Sequence, residues 1–295
     1  MIELGKQNRN SFHLAGVIPV AGQKLDFNFP WHDSLQPINK DYLAIERAVI
    51  ECAYAGCETV WIVCHRDMQP LIRYVLGDYV QDPTLLNKKR VSMAEEVKKT
   101  IPIYYVPVHP KDKDKRDSLG WSILYGALTA YWLSKTISKW VIPDKYYVSF
   151  PYGVYKPELL QKHRQKISSK EPFYISSGET SFITGDYLGF TFDADDFKRC
   201  RRYVRKKGTG EYREYQKEKL PIEERWSARF FGIKDIFQSV NVEGASTLNV
   251  PWYYNIDSWR GLCTFLGSIE QKELDKPFNI GYHEWSPIGV DNEKE

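Results

Sequence analysis

Apolar positions along this chain gather into short continuous runs separated by stretches with helical spacing. After a polar arm over residues 1–12, the run LAGVIPV at 14–20 ends in Ala21-Gly22 and predicts a strand buried on both faces. From Asn39 to Ala55, the apolar residues Leu43, Ala44, Ala48, Val49, Cys52 and Ala53 recur close to the helical period, and Gly56 marks the stop. Residues 58–65 form a second buried strand, Gln69 to Leu76 a short helix and 101–108 a third strand. A long, largely buried helix is predicted over 117–137, with Asp117 or Ser118 available as N-cap. A fourth strand over 145–155 runs into a turn, and 171–193 contains a hairpin-like strand pair. A helix from Asp195, a helix near 229–240, a strand at 246–256 and a final helix at 258–270 complete the pattern.

Strands that alternate with helices predict an α/β three-layer sandwich whose mixed sheet is mostly parallel, with the hairpin-like pair as an antiparallel addition. No repeat or low-complexity tract divides the chain. The expected organisation is an N-terminal arm (1–12), one domain (13–272) and a C-terminal tail (273–295), with 206–226 as an insertion or lid.

Composition adds constraints. At 295 residues the chain can bury a large core, and 15% aromatic residues, including 20 Tyr and 9 Trp, suit a thick mixed core and ring-stacking surfaces. A net charge of +3 does not indicate a nucleic-acid partner. Acids interleave with the bases in HPKDKDKRD (109–117) and in 197–219, so both runs read as solvated faces. The second gathers Lys198, Arg199, Arg201, Arg202, Arg205, Lys206 and Lys207, a set that can also hold phosphates. Five cysteines, odd in number and without paired CxxC units, read as free buried thiols in a reducing compartment. No secretory h-region opens the chain and no apolar run approaches the roughly 18 residues that span a bilayer, so the expectation is a soluble cytoplasmic protein with no membrane partner.

Four segments, in order, resemble the sugar-phosphate nucleotidyltransferases of the nucleotide-diphospho-sugar transferase fold. GVIPVAG (16–22) with LQPINKDYLAIERAVIECAYAGCETVWIVC (35–64) is similar to that family's first strand, Ala-Gly turn, Leu-x-Pro-Ile, helix and second strand. DSLGWSILYGAL (117–128) resembles its loop and helix start, which usually reads leucine-glycine-threonine-alanine and contacts the base or sugar. TGDYLGFTFDADDF (184–197) resembles a later strand ending in an acidic turn. NIDSWRGL (255–262) resembles the closing segment that begins the last helix.

The resemblance implies a Rossmann-like, GT-A-type fold that joins a nucleoside triphosphate to a phosphorylated, sugar-type acceptor with release of pyrophosphate and with Mg²⁺. Such chemistry attacks the α-phosphorus, and the protein contributes positioning and neutralisation of developing charge. Backbone N–H groups of a glycine turn donate, cations clamp phosphates, and carboxylates hold a magnesium that prefers oxygen ligands.

The chain departs from the family's pattern at three places. The first loop of the family runs Gly-x-Gly-Thr-Arg and then has a Pro-Lys pair; here it reads Gly22-Gln23-Lys24-Leu25-Asp26, with Asp33 or Ser34 where the lysine would fall. The family's metal-binding Gly-Asp at the fourth strand is replaced by SFPYGVY (149–155). The last motif has Asn255 at its first aspartate position and Asp257 at its second.

Carried over residue by residue, the resemblance nominates Ala21, Gly22, Gln23, Lys24, Ser118 and Gly120 for the nucleotide. Lys24 and Asp257 are the catalytic candidates, and Asp257 is the metal ligand, with Asp193 and Asp195 of the acidic turn as further metal candidates. Each has a plainer role open to it. Lys24 can be an ordinary loop lysine, Gly22 a turn residue, and Ser118 and Gly120 parts of a helix cap. Asp193, Asp195 and Asp257 can serve helix N-termini. His32 is the histidine placed to meet a ligand.

Three functions follow: a nucleotidyltransferase, a glycosyltransferase using a sugar nucleotide with Asp193 and Asp195 at the metal, or a catalytically inactive relative with a structural or assembly role.

Overall fold

The computed structural model describes residues 12–22, 32–83, 100–113, 118–138, 141–208, 232–278 and 280. In chain order the strands are β1 (Leu14–Pro19), β2 (Pro37–Asn39), β3 (Tyr42–Leu43), β4 (Thr59–Cys64), β5 (Tyr79–Gln81), β6 (Thr100–Pro107) and β7 (Lys145–Val148). They continue with β8 (Gly153–Val154), β9 (Phe173–Ser177), β10 (Thr180–Ser181), β11 (Phe190–Phe192), β12 (Ser246–Asn249) and β13 (Tyr254–Asn255). The principal helices are α1 (Ala44–Ala55), α2 (Gln69–Leu76), α3 (Leu119–Ile137), α4 (Ala194–Gly208), α5 (Ile233–Phe237), α6 (Trp259–Leu266) and α7 (Glu270–Glu273).

Among the described residues nine strands form the main sheet, in the order β10-β9-β11-β7-β1-β4-β6-β5, with β12 beside β9. β1 lies at its centre, parallel to both β4 and β7, and β6 continues the parallel set beyond β4. β11 runs antiparallel to β7 and to β9, so the predicted strand pair does join the sheet as an antiparallel addition.

Alternate residues feed two cores, as the twofold side-chain period of a strand requires. Leu14 and Ile18 of β1, Val60, Ile62 and Cys64 of β4 and Tyr147 of β7 share a cluster with α1. Ala15 and Val17, Trp61 and Val63, and Tyr146 and Val148 share the other with α3. Helices on both faces make the three-layer α/β sandwich, and they explain why the parallel strands read as continuous apolar runs.

Several boundaries differ from expectation. The helix expected from Asn39 begins at Ala44, because 37–43 forms the β2–β3 hairpin, turned by Asp41 at φ 54°. Glu46 then accepts the Leu43 amide at 2.9 Å and starts the helix there. The strand expected over 145–155 breaks after Val148 and resumes as β8, with Pro151, which has no amide proton, in the gap. The strand expected over 246–256 is likewise split into β12 and β13 around Pro251. The helix expected over 258–270 stops at Leu266, with Gly267 closing it on the Cys263 carbonyl, and a separate turn, α7, follows at Glu270. β5 and β10 are too short, at three and two residues, to leave a sequence period.

Four cysteines are buried as expected, but Cys263 is exposed on α6. Among the described residues no helix is long and apolar enough to cross a membrane. Residues 209–226 of the expected insertion or lid lie outside the described residues.

Candidate functional site

The carboxyl ends of β1, β4 and β7 meet at one edge of the sheet, the place where open α/β sheets leave a crevice for ligands. There the chain leaves β1 with Val20 and Ala21, whose amides both donate to the Val63 carbonyl at 2.9 and 3.0 Å. Gly22 follows at φ 85°, a conformation that favours glycine. A Cβ at Gly22 would lie 2.4 Å from the Ser118 carbonyl carbon, so the turn is pressed directly against the start of α3.

The α3 terminus is tied to the same turn. Ser118 caps α3 by accepting the Trp121 amide at 3.3 Å, and the Ser122 hydroxyl donates to the Ala21 carbonyl at 2.8 Å. A Cβ at Gly120 would meet Ile236 Cδ1 at 2.4 Å, so this glycine lets α5 close on α3. The structure thus brings Ala21, Gly22, Ser118 and Gly120 together beside the N-terminus of a 19-residue helix, where backbone N–H groups and the helix dipole favour an anion. Gln23 and Lys24 lie outside the described residues, as do 114–117.

The chain returns to this edge at His32. Its Nδ1 accepts the Ser34 amide at 3.2 Å and lies 2.8 Å from Ser34 Oγ, which closes the turn into Leu35. Burial, with His65 nearby, pushes His32 down to about 4, so the ring is neutral at physiological pH. Burial raises the Asp33 carboxyl, and this charge is felt by Tyr152.

Past β7 the composition is aromatic. Phe150 is fully buried, with ring centroids 5.6 Å from Tyr187 and 6.3 Å from Phe190. Tyr152 is buried against Tyr187 at 6.0 Å, and burial pushes its hydroxyl well above the ordinary tyrosine range. A short pairing of β8 with β13 then brings the last motif alongside. Ile256 donates to the Tyr152 carbonyl at 2.9 Å, and Asn255 Oδ1 accepts the Asp257 amide at 2.9 Å. Asp257 is thereby held half-buried just beyond Tyr152, and Ser258 caps α6 through the Gly261 amide at 3.1 Å.

Asp193 and Asp195 lie at the opposite edge. β11 runs against β7 with Phe192 beside Tyr146, so the acidic turn emerges near the amino end of β7. Asp193 Oδ1 accepts the amides of Asp195 and Asp196, both at 2.8 Å, and Asp195 pairs with Lys198. The acidic turn therefore caps α4. Among the described residues no group of three or more His, Cys, Asp or Glu gathers into a metal site. At the carboxyl edge one carboxylate of the last motif, Asp257, remains for a cation, and Mg²⁺ commonly takes one or two protein carboxylates with waters and substrate phosphates.

The pattern of the sequence did not reveal one buried assembly. Every residue of α1 is buried, including Arg47 and Glu51, which pair at 2.8 Å. Three charged residues, Glu46, Arg47 and Glu51, inside a helix with no exposed face were the available signal, but the apolar spacing alone hid it.

No protein-family model matches the chain, and no curated protein matches it in sequence. Among solved structures, a Bacillus anthracis protein described as a glucose-1-phosphate thymidylyltransferase, determined with sucrose, superposes at TM-score 0.51 and 10% identity. That match spans 89% of this chain and 97% of the other. UDP-glucose pyrophosphorylase matches in its apo form at TM-score 0.50 and 14% identity, over 89% of this chain and 100% of that one. Its complex with UDP-glucose matches at TM-score 0.50 and 14% identity, over 88% and 99%. The likeness is one of fold: this chain has the α/β architecture shared by these sugar-phosphate nucleotidyltransferases.

Proposed function

We propose that this protein is a nucleotidyltransferase that joins a nucleoside triphosphate to a phosphorylated, sugar-type acceptor and releases pyrophosphate. The observation that supports it most directly is the Gly22 turn locked against the N-terminus of α3 at the carboxyl edge of β1, on a fold shared with such enzymes. In this reading the Ala21 amide, spent on the Val63 carbonyl, fixes the turn, and the backbone donors of Gly22 and Gln23 with the side chain of Lys24 hold the triphosphate. The α3 start at Ser118 and Gly120 borders the base or sugar. An acceptor phosphate oxygen attacks the α-phosphorus and pyrophosphate leaves with the electron pair of the broken P–O bond. Asp257 would hold Mg²⁺ together with the substrate phosphates, the ion supplying neutralisation of the charge that develops there.

A second reading, a catalytically inactive relative with an assembly role, is favoured by one observation. The segment 149–155, which by resemblance takes the place of the family's Gly-Asp, offers no carboxylate, and its Phe150 is buried among aromatic rings. The glycosyltransferase reading is weakened, since at the far edge Asp193 caps α4 and Asp195 pairs with Lys198.

Thermal-shift titration with nucleoside triphosphates and sugar nucleotides, with and without Mg²⁺, separates these readings. A binder at a hundredfold excess over Kd gains about 2.7 kcal/mol of stability. Lys24→Ala and Asp257→Ala should each weaken that gain, and pyrophosphate release with sugar phosphates should follow. Absence of a shift with every nucleotide would leave the inactive reading.

A further inference from the structure

We infer that Arg47 is a positioning residue: from inside α1 it sets the path of the loop 149–153 and, through that loop, the place of Asp257. Arg47 and Glu51 sit one helical turn apart with no exposed surface, and Arg47 Nη1 donates to Glu51 Oε2 at 2.8 Å. The other guanidinium nitrogen, Nη2, donates to the Phe150 carbonyl. The guanidinium also lies over the Tyr155 ring at 4.9 Å, and the Tyr147 hydroxyl donates to Glu51 Oε1 at 2.6 Å. Nε of Arg47 has no hydrogen-bond partner, so the pair is not arranged to satisfy every donor of its own.

Burying two charges costs desolvation that an apolar pair of the same volume would avoid. What an apolar pair cannot do is hold a carbonyl two residues beyond the end of β7, where the ladder has stopped. From Phe150 the hold passes along the chain to Tyr152, whose carbonyl takes the Ile256 amide, the residue before Asp257. The cluster also has space made for it from the far side. A Cβ at Gly189, just before β11, would lie 2.4 Å from the Tyr147 hydroxyl and 2.8 Å from Glu51 Oε1.

The functional consequence rests on the nucleotidyltransferase reading, but the placement itself does not, so the experiment reads both. Arg47→Met combined with Glu51→Leu removes the tether while filling the volume, and Gly189→Ala presses on the same cluster from the other side. Amide hydrogen exchange should rise about tenfold or more at Ile256 and across 150–155 in both variants, with the β1–β4 ladder unchanged. In the same double variant, affinity for a triphosphate with Mg²⁺ should fall about fivefold, and this loss should vanish in an Asp257→Ala background, because the effect travels through Asp257.

Exchange that rises uniformly through the sheet, or does not change at Ile256, overturns the inference. If no nucleotide binds to the unaltered protein, the functional reading fails while exchange still decides the placement. Should the double variant not fold, Arg47→Lys, which keeps the charge but replaces the two guanidinium nitrogens that reach Glu51 and Phe150 with a single ammonium, should give the same local rise at Ile256, and its absence overturns the inference.

Discussion

Gly22→Ala is the sharpest test of how the first turn is built. At φ 85° an alanine pays the left-handed penalty of about 1–2 kcal/mol. Its Cβ would also stand 2.4 Å from the Ser118 carbonyl carbon and 2.7 Å from both Ser118 Cα and N. These are backbone atoms at a helix start, so no rotamer change relieves the overlap, and overpacking of this kind costs about 1–3 kcal/mol more. The expected destabilisation is therefore about 2–5 kcal/mol.

Gly178→Ala is the matched control. It sits at φ 59° with no atom within 4 Å of a built Cβ, so it carries the conformational penalty alone. The entropy that alanine removes from the unfolded chain is common to both variants and cancels in the difference. Urea unfolding followed by tryptophan fluorescence, with midpoints compared at unchanged slope, should place Gly22→Ala about 1–3 kcal/mol below Gly178→Ala. Equal losses in the two variants would refute the contact with Ser118 and, with it, the coupling of the first turn to α3.

Other outcomes follow from single features. His32 is held at about 4 when folded against an ordinary 6.5, so below pH 6.5 the unfolded chain takes up a proton that the folded one refuses. Stability should fall as the pH drops from 6.5 toward 4, by about 2 kcal/mol at pH 5 from this residue, and His32→Gln should lose that part of the slope. A slope unchanged in His32→Gln would show that the ring is not held neutral. Of the five cysteines only Cys263 is exposed, so an aromatic disulfide reagent should titrate one thiol in the native protein and five after denaturation. Asp82 is buried and takes both Arg164 nitrogens at 2.7 and 2.6 Å, so Asp82→Asn should cost about 1.5–3 kcal/mol, read by urea unfolding. A loss below about 0.5 kcal/mol would mean that this pair behaves as an exposed one.

Much of the architecture was legible because burial leaves a mark on composition. β1 and β4 are covered on both faces, and their apolar runs stand out without any period, whereas β6 is buried on one face and half-exposed on the other. α3 was readable for the same reason, with Ser118 as its cap. Where the chain turns on one residue the signal was local and weak: Asp41 at positive φ made a hairpin out of what read as the first turns of a helix. Pro151 and Pro251 divided two expected strands, and each was visible, but whether a proline ends a strand or sits at its edge depends on the neighbouring strand.

By itself the sequence determined the alternation of strands and helices and the α/β class, because each rests on residues close together in the chain. It could not decide how those elements meet. Only the tertiary structure set Gly22 against Ser118, turned Asp193 and Asp195 to the opposite edge, buried Phe150 among aromatic rings and joined Arg47 to its carbonyl. These are contacts between residues far apart in the chain. Their distances are fixed by strand order and register, which no local pattern of residues encodes.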